Sequence, residues 1–350
     1  MTAQDVAATA LWQDMTEAPE TVAATLEAAV GHRDLAELLA WHRPARIIAT
    51  GNGASFYVAN AFWLASLSTK LASPVLAIPA GLLSAGTVVL RPDDLLLAFS
   101  SSGELRDLVE LVKGPKHASR LGLITSTASS SLAAEADAVA VVETRNQRAI
   151  THTQAYLGAA AVGLDVLGRA SGDSSLRTAA TSMSSALSVQ LARACEWANE
   201  AGAGLEAPRA AVVFGTGHGL VAAFEAALLL KEVAGMPAEG METREGATSG
   251  MYALGSDQLV VALPLGSDPL ADEALEVCSR SGATVVRAPW PEGFDQRCAP
   301  AAHFAHPLAL AIWLGLAQGR NPDSPDWYAT YEATARVAVE RVQQPPLIRP

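Results

Sequence analysis

The chain has 350 residues, half of them hydrophobic and only 17% charged, with a formal net charge of -12. That apolar content can fill about two domains of roughly 100–200 residues each and excludes wholesale disorder. No Lys/Arg block interrupts the acidic balance, which excludes a phosphate-tracking nucleic-acid surface.

In chain order, residues 1–40 predict a leading helical segment, with Pro19 followed by Glu20 as a helix start. The first 17 residues carry Asp5, Asp14 and Glu17 and no basic run, so they do not read as a signal peptide. Residues 43–65 then give a β-branched apolar run, a Gly-x-Gly turn at Gly51-Asn52-Gly53-Ala54-Ser55, and a helical apolar pattern. Residues 93–112 repeat the scheme around Ser100-Ser101-Ser102-Gly103-Glu104, and a strand is predicted over 121–125.

The second half echoes the first. Residues 208–229 mirror 43–65, and 256–277 mirror 93–112, with Gly51 to Gly215 spanning 164 positions and Gly103 to Gly266 spanning 163. Two parallel echoes at nearly one offset indicate an internal duplication. Strands alternating with helices predict an α/β fold, two doubly wound parallel-sheet lobes. The expected organisation is a helical segment 1–40, a first α/β domain 41–175, a connecting helix 176–205, a second α/β domain 206–340 and a tail 341–350. Cys195, Cys278 and Cys298 lack CxxC spacing, which fits reduced thiols and a cytoplasmic location. Apolar stretches such as residues 155–166 are shorter than the ~20 residues a bilayer needs, so no membrane partner is expected.

The loops carry the chemistry. Three serines and free N–H groups at a helix start suit an anion, whereas an ordinary N-cap requires one serine. Ser129-Ser130-Ser131 reads as a plain cap. In the second half, the loop at residues 265–268 keeps one serine and gains Asp268, which disfavours phosphate there. His303 and His306 have no third partner at metal-site spacing and read as structural, so no metal or cofactor is expected.

These residues resemble the sugar-isomerase (SIS) family in its tandem form, over about residues 12–337. GNGAS (51–55) is similar to the family's first loop, SSSGE (100–104) to its phosphate loop, and NQRAITHTQAY (146–156) to its sugar-lining segment. EAALLLKE (225–232) resembles a helix ending in Lys-Glu, and Asn321-Pro322-Asp323-Ser324-Pro325 resembles the turn before the C-terminal tail. The resemblance implies a hexose or amino-hexose 6-phosphate ligand, held by Asn52, Gly53, Ser55, Ser100, Ser101, Ser102, Ile150 and Thr153. It implies Glu232 as the base moving a proton between sugar C1 and C2, and a homodimer. Such transfer needs a carboxylate within reach of the C2 proton.

The departures also carry information. Thr248 stands where the family has a ring-opening histidine, Leu105 replaces the threonine closing the phosphate loop, and residues 325–330 hold no lysine. His152, inside the matched sugar-lining segment, is the candidate for a direct catalytic role in place of that histidine. Glu242 and Glu245 are candidate carboxylates in the loop around Thr248, and Arg148 is a candidate contact for an acidic substrate group. Thr2 follows Met1 where a glutaminase half would need cysteine, so isomerisation, deamination or deglycation is expected without ammonia from glutamine. The competing expectation is a non-catalytic phosphosugar sensor. A nucleotide-binding oxidoreductase is disfavoured because GxGxxG is missing.

Overall fold

The computed structural model describes residues 1–41, 43–114, 119–205 and 208–328. The expected tail 341–350 and residues 329–340 of the second domain lie outside the described residues. Four helices, Ala3–Ala7, Ala10–Thr16, Ala18–Ala28 and His32–Trp41, lead the chain. Pro19 sits in the first turn of the third, where its missing N–H is no loss.

Strands β1 (Ile47–Gly51), β2 (Val75–Pro79), β3 (Leu95–Phe99), β4 (Arg120–Thr125) and β5 (Ala138–Val141) pair in parallel, in the order β2-β1-β3-β4-β5. Every residue of β1 and β3 is buried. Helices cover both faces, which is why these strands read as unbroken apolar runs rather than as alternation.

The second sheet, β6 (Ala210–Gly215), β7 (Ala238–Glu242), β8 (Gln258–Leu263) and β9 (Thr284–Arg287), has the order β7-β6-β8-β9. That is the order of the first four strands repeated, so the duplication is visible in the topology. The copies part after β9, where no fifth strand follows among the described residues. The chain there reads Ala288-Pro289-Trp290-Pro291, and two prolines cannot donate to a ladder. Trp290 turns inward, its ring 5.2 Å from that of His303 and its Cδ1 3.8 Å from where a Cβ on Gly266 would lie. Gly266 is the counterpart of Gly103, so an indole packs against the loop that in the first lobe borders a cavity.

Four helices lie between the sheets: Gln154–Ser171, the 30-residue Ser174–Ala203, Gly219–Ala234 and Ala305–Ala317. Their apolar faces fuse with the inner faces of both sheets, so Leu157, Val162 and Leu187 share one core with Val213, Leu230 and Leu308. The outer faces close separately, around Leu96 and Leu108 in the first lobe and Val260 and Leu275 in the second. The segment Gln296–Ala317 is long and apolar enough to cross a membrane, an exception to the sequence expectation. However, 89% of its most apolar window is buried inside the protein, as in a core helix.

Candidate functional site

In a doubly wound sheet of this order, the loops after β1 and β3 diverge and leave a crevice at the carboxyl ends of the strands. Gly103 shapes the loop after β3. Its φ is +64°, and a Cβ there would lie 1.9 Å from Ser130 Oγ, so only glycine fits. The turn brings Ser100 and Ser101 to the crevice, where they meet Ser55 from the first turn of helix Ala54–Ser66. Thr125 and Ser126 join them from the end of β4, with His152 and Tyr156 on the far wall.

These side chains line a cavity of about 50 Å³, room for a phosphate-sized group, with no carboxylate in the lining. Thr125 Oγ1 donates to the Ser101 carbonyl at 3.1 Å, and the Gly103 N–H donates to Ser100 Oγ at 3.2 Å. Ser126 Oγ is buried without a partner among the described residues. A buried hydroxyl left unbonded costs about 1–3 kcal/mol, which a ligand oxygen would recover. Hydroxyl donors and a helix N-terminus without negative charge form an anion site.

Four sequence-predicted residues thus converge: Ser55, Ser100, Ser101 and His152. The others stand elsewhere. Asn52 is exposed, with only a 3.4 Å contact to Asp107. Gly53 is exposed and serves the helix start with φ +53°. Ser102 is exposed and its hydroxyl accepts the Glu104 N–H at 3.2 Å, while Glu104 accepts the Ser131 N–H at 2.7 Å and ties the two loops together. Ile150 donates its N–H to the Asp323 carbonyl at 3.2 Å, and Thr153 is fully buried with an unpartnered hydroxyl. Ser130 caps helix Ser131–Glu135, as its spacing predicts. Sequence reasoning missed Thr125 and Ser126, although the end of β4 is a third strand terminus in the same crevice.

The segment carrying His152 is fixed by a carboxylate far away in sequence. Asp14 is fully buried and accepts the backbone N–H groups of Arg148 and Ala149, each at 2.8 Å. The guanidinium of Arg148 is held by Asp14 and Glu17, so it is not the free cation for an acidic substrate that the sequence suggested. Gln154, also fully buried, accepts from Thr21 Oγ1 and the Arg145 N–H and donates to the Asp14 carbonyl. Asp323 clamps the same region, its carboxylate accepting the N–H groups of Ala10 and Leu11. The turn at residues 321–325 thereby binds the leading helices to the segment that carries His152.

Residues 41–162 match the family model of the SIS domain. The first lobe is a SIS domain. Structural comparison extends the likeness to nearly the whole chain. The C-terminal domain of glucosamine-fructose-6-phosphate aminotransferase from Francisella tularensis has TM-score 0.76 at 17% identity, covering 90% of this chain and 98% of that one. Glucosamine-6-phosphate deaminase from Thermotoga maritima has TM-score 0.71 at 17% identity, covering 92% and 96%. Tagatose-6-phosphate ketose/aldose isomerase from Escherichia coli has TM-score 0.70 at 18% identity, covering 91% and 96%. The shared feature is the two-lobed fold. No curated protein matches the chain in sequence.

A second group of ionisable side chains lies where the SIS lobe meets its partner lobe. Tyr57, one turn or less from Ser55, packs its ring 5.4 Å from Phe224. On the same second-lobe helix, Gly219–Ala234, stand Glu225 and, seven residues on, Glu232. Burial pushes the Glu232 carboxyl up to about 7, against the opposing pull of Lys231. Burial pushes Glu225 well above the carboxylate range, and nearby Glu232 adds to the effect. Burial, with Glu225 and Tyr57, also holds the Tyr156 phenol well above 10. Glu225 Oε2 and the Tyr156 hydroxyl both lack hydrogen-bond partners among the described residues. Tyr156 lines the serine cavity and is in electrostatic contact with Glu225, so it links that cavity to the carboxylate pair. Glu232 itself does not line the cavity.

His152 faces solvent on one side, and desolvation by the surrounding protein lowers its pKa despite Asp14. Thr248 donates its hydroxyl back to the Arg244 and Glu245 carbonyls. Glu242 caps helix Thr243–Thr248, and Glu245 accepts from the Ser249 hydroxyl, and neither lines the serine cavity. Trp327 Nε1 donates to the Glu232 carbonyl at 2.8 Å and anchors the end of that helix. Among the described residues, no three His, Cys, Asp or Glu side chains group to hold a metal.

Proposed function

We propose that this protein binds a hexose or amino-hexose 6-phosphate and moves a proton between sugar C1 and C2. The observation that carries the reading is the convergence of Ser55, Ser100, Ser101, Thr125 and Ser126 at the strand switch point, without a carboxylate among them. The phosphate occupies that cavity, and the sugar extends past Tyr156 towards the lobe interface.

Glu232 takes the proton from C2 of the open-chain sugar as the C1 carbonyl oxygen gains one, which gives the enediol; it then returns the proton to C1 as the O2 hydroxyl gives up its own and becomes the C2 carbonyl. A carboxyl poised at about 7 suits a base working near neutrality. Glu225, protonated beside it, supplies a hydrogen-bond donor that an ionised carboxylate lacks. Neutral His152 at the cavity mouth serves ring opening. The cytoplasmic, dimeric setting expected from the sequence belongs to the same proposal.

One observation favours a phosphosugar sensor instead: Glu232 lies outside the cavity lining. Hydrogen–deuterium exchange at C2, followed by NMR in heavy water, separates the two. A panel of hexose, amino-hexose and ketosamine 6-phosphates is offered to wild type and Glu232→Gln. Exchange with one sugar, lost in the variant, supports the enzyme. Binding without exchange across the panel leaves the sensor.

A further inference from the structure

A second cavity, of about 340 Å³, lies in the second lobe between the connecting helix Ser174–Ala203 and the segment after β9. Its floor is His306, 1% exposed, with neither ring nitrogen hydrogen-bonded among the described residues. Desolvation, with His303 and Arg193 nearby, lowers this imidazole to about 3, so it stays neutral and offers one donor and one acceptor. Burying both without partners is costly unless something in the cavity meets them.

The walls are aromatic and fixed. Trp197 stands edge-on to His306, ring centres 5.1 Å apart, and its indole N–H donates to the Arg287 carbonyl at 3.1 Å. Trp290 faces the same space from the segment after β9. Gln190 donates its amide to the Pro289 and Ala302 carbonyls, each at 2.8 Å, which leaves its oxygen as an acceptor. At the rim, Arg193, Glu196 and Glu200 are exposed and make no ion pair among the described residues. Glu196 and Glu200 stand one turn apart, an arrangement that is mildly unfavourable without a partner.

We propose that this cavity is a second ligand site, for an unphosphorylated sugar ring. A sugar hydroxyl both donates and accepts. The site offers acceptors in Gln190, Glu196 and Glu200, donors in Arg193 and Arg287, and both in His306. An anion would meet two carboxylates here, and a cation two guanidinium groups. The indoles give the carbon face of a pyranose a flat apolar surface. The volume is at the lower end of small-molecule sites.

The test titrates the full chain with D-glucose, N-acetyl-D-glucosamine and inorganic phosphate, reading calorimetric heat and tryptophan fluorescence. Wild type is compared with Arg193→Ala, Glu200→Ala and Ser100→Ala. The first two change exposed side chains, so thermal midpoints near wild type verify the fold. One of the sugars is expected to bind saturably, with Kd raised about ten-fold or more by Arg193→Ala and Glu200→Ala, the loss of one charge-assisted hydrogen bond each. Ser100→Ala should leave that Kd within about two-fold while weakening phosphate. The proposal is overturned if neither sugar binds saturably, or if Ser100→Ala abolishes sugar binding. It is equally overturned if Arg193→Ala instead dissolves a dimer, which assigns the face to a second copy of the chain.

Discussion

Replacing Glu232 by glutamine should stabilise the protein, and by an amount set by pH. A carboxyl moved from 4.5 to about 7 resists ionisation in the folded state by about 3 kcal/mol, at roughly 1.36 kcal/mol per pH unit. Below pH 4.5 the group is protonated whether folded or unfolded, and contributes nothing. Between 4.5 and 7 the unfolded chain releases this proton while the folded one retains it, so the native state loses ground steadily. Above about 7 both are ionised and the penalty levels off. Glutamine keeps the shape and removes the charge, so the variant should gain less than ~1 kcal/mol at pH 5 and ~3 kcal/mol at pH 8. Urea unfolding of both proteins at pH 5, 6, 7 and 8 measures the gap, since midpoint times slope gives each stability. A gap of equal size at pH 5 and pH 8 refutes the desolvated carboxylate. A stabilised variant without C2 exchange would show a native group that costs stability and serves chemistry.

Other substitutions probe the scaffold and the cavity. Ser100→Ala and Ser55→Ala should each weaken sugar-phosphate binding about ten-fold by calorimetry, while Ser102→Ala, exposed and outside the cavity, should change it less than two-fold. Asp14→Ala leaves buried N–H groups and the Arg148 guanidinium without their acceptor and should cost ~3 kcal/mol in denaturant titration; Asp14→Asn, which retains one oxygen, should cost less. Gly103→Ala combines a left-handed φ with a 1.9 Å clash against Ser130, and should lower the thermal midpoint and phosphate affinity together. Adding Ser130→Gly should recover part of the loss, a recovery that backbone strain alone would not permit.

The architecture was legible because it depends on local periodicity. Apolar runs before Gly51, Ser100, Gly215 and Leu265 gave β1, β3, β6 and β8, and the matched offsets gave the duplication. That no fifth strand follows β9 among the described residues was not read from the sequence, because Pro289 and Pro291 gain that meaning only once the first lobe shows a fifth strand. The site was legible where hydroxyls cluster in one loop, as at Ser100 and Ser101. It was hidden where the third dimension supplies the partner. Asp14 reaches Ala149 across 135 positions, and nothing near either residue announces it. Glu225 sat inside the matched motif at residues 225–232, but its place beside Tyr57 and Tyr156 depends on side chains that arrive from the other lobe. Ser102 stands outside the cavity for a local reason: the loop that presents its neighbours turns its hydroxyl onto the Glu104 N–H.

The 30-residue helix Ser174–Ala203 spans about 45 Å at 1.5 Å per residue and shares one continuous core with elements of both lobes. A rod of this kind neither stretches nor shortens. The separation of the two sheets is thereby fixed, and because the core along it is continuous, turning one lobe against the other would break contacts along its whole length. Ser100 and Glu232, which belong to different lobes, are therefore held at a set distance by packing rather than by any bond between them.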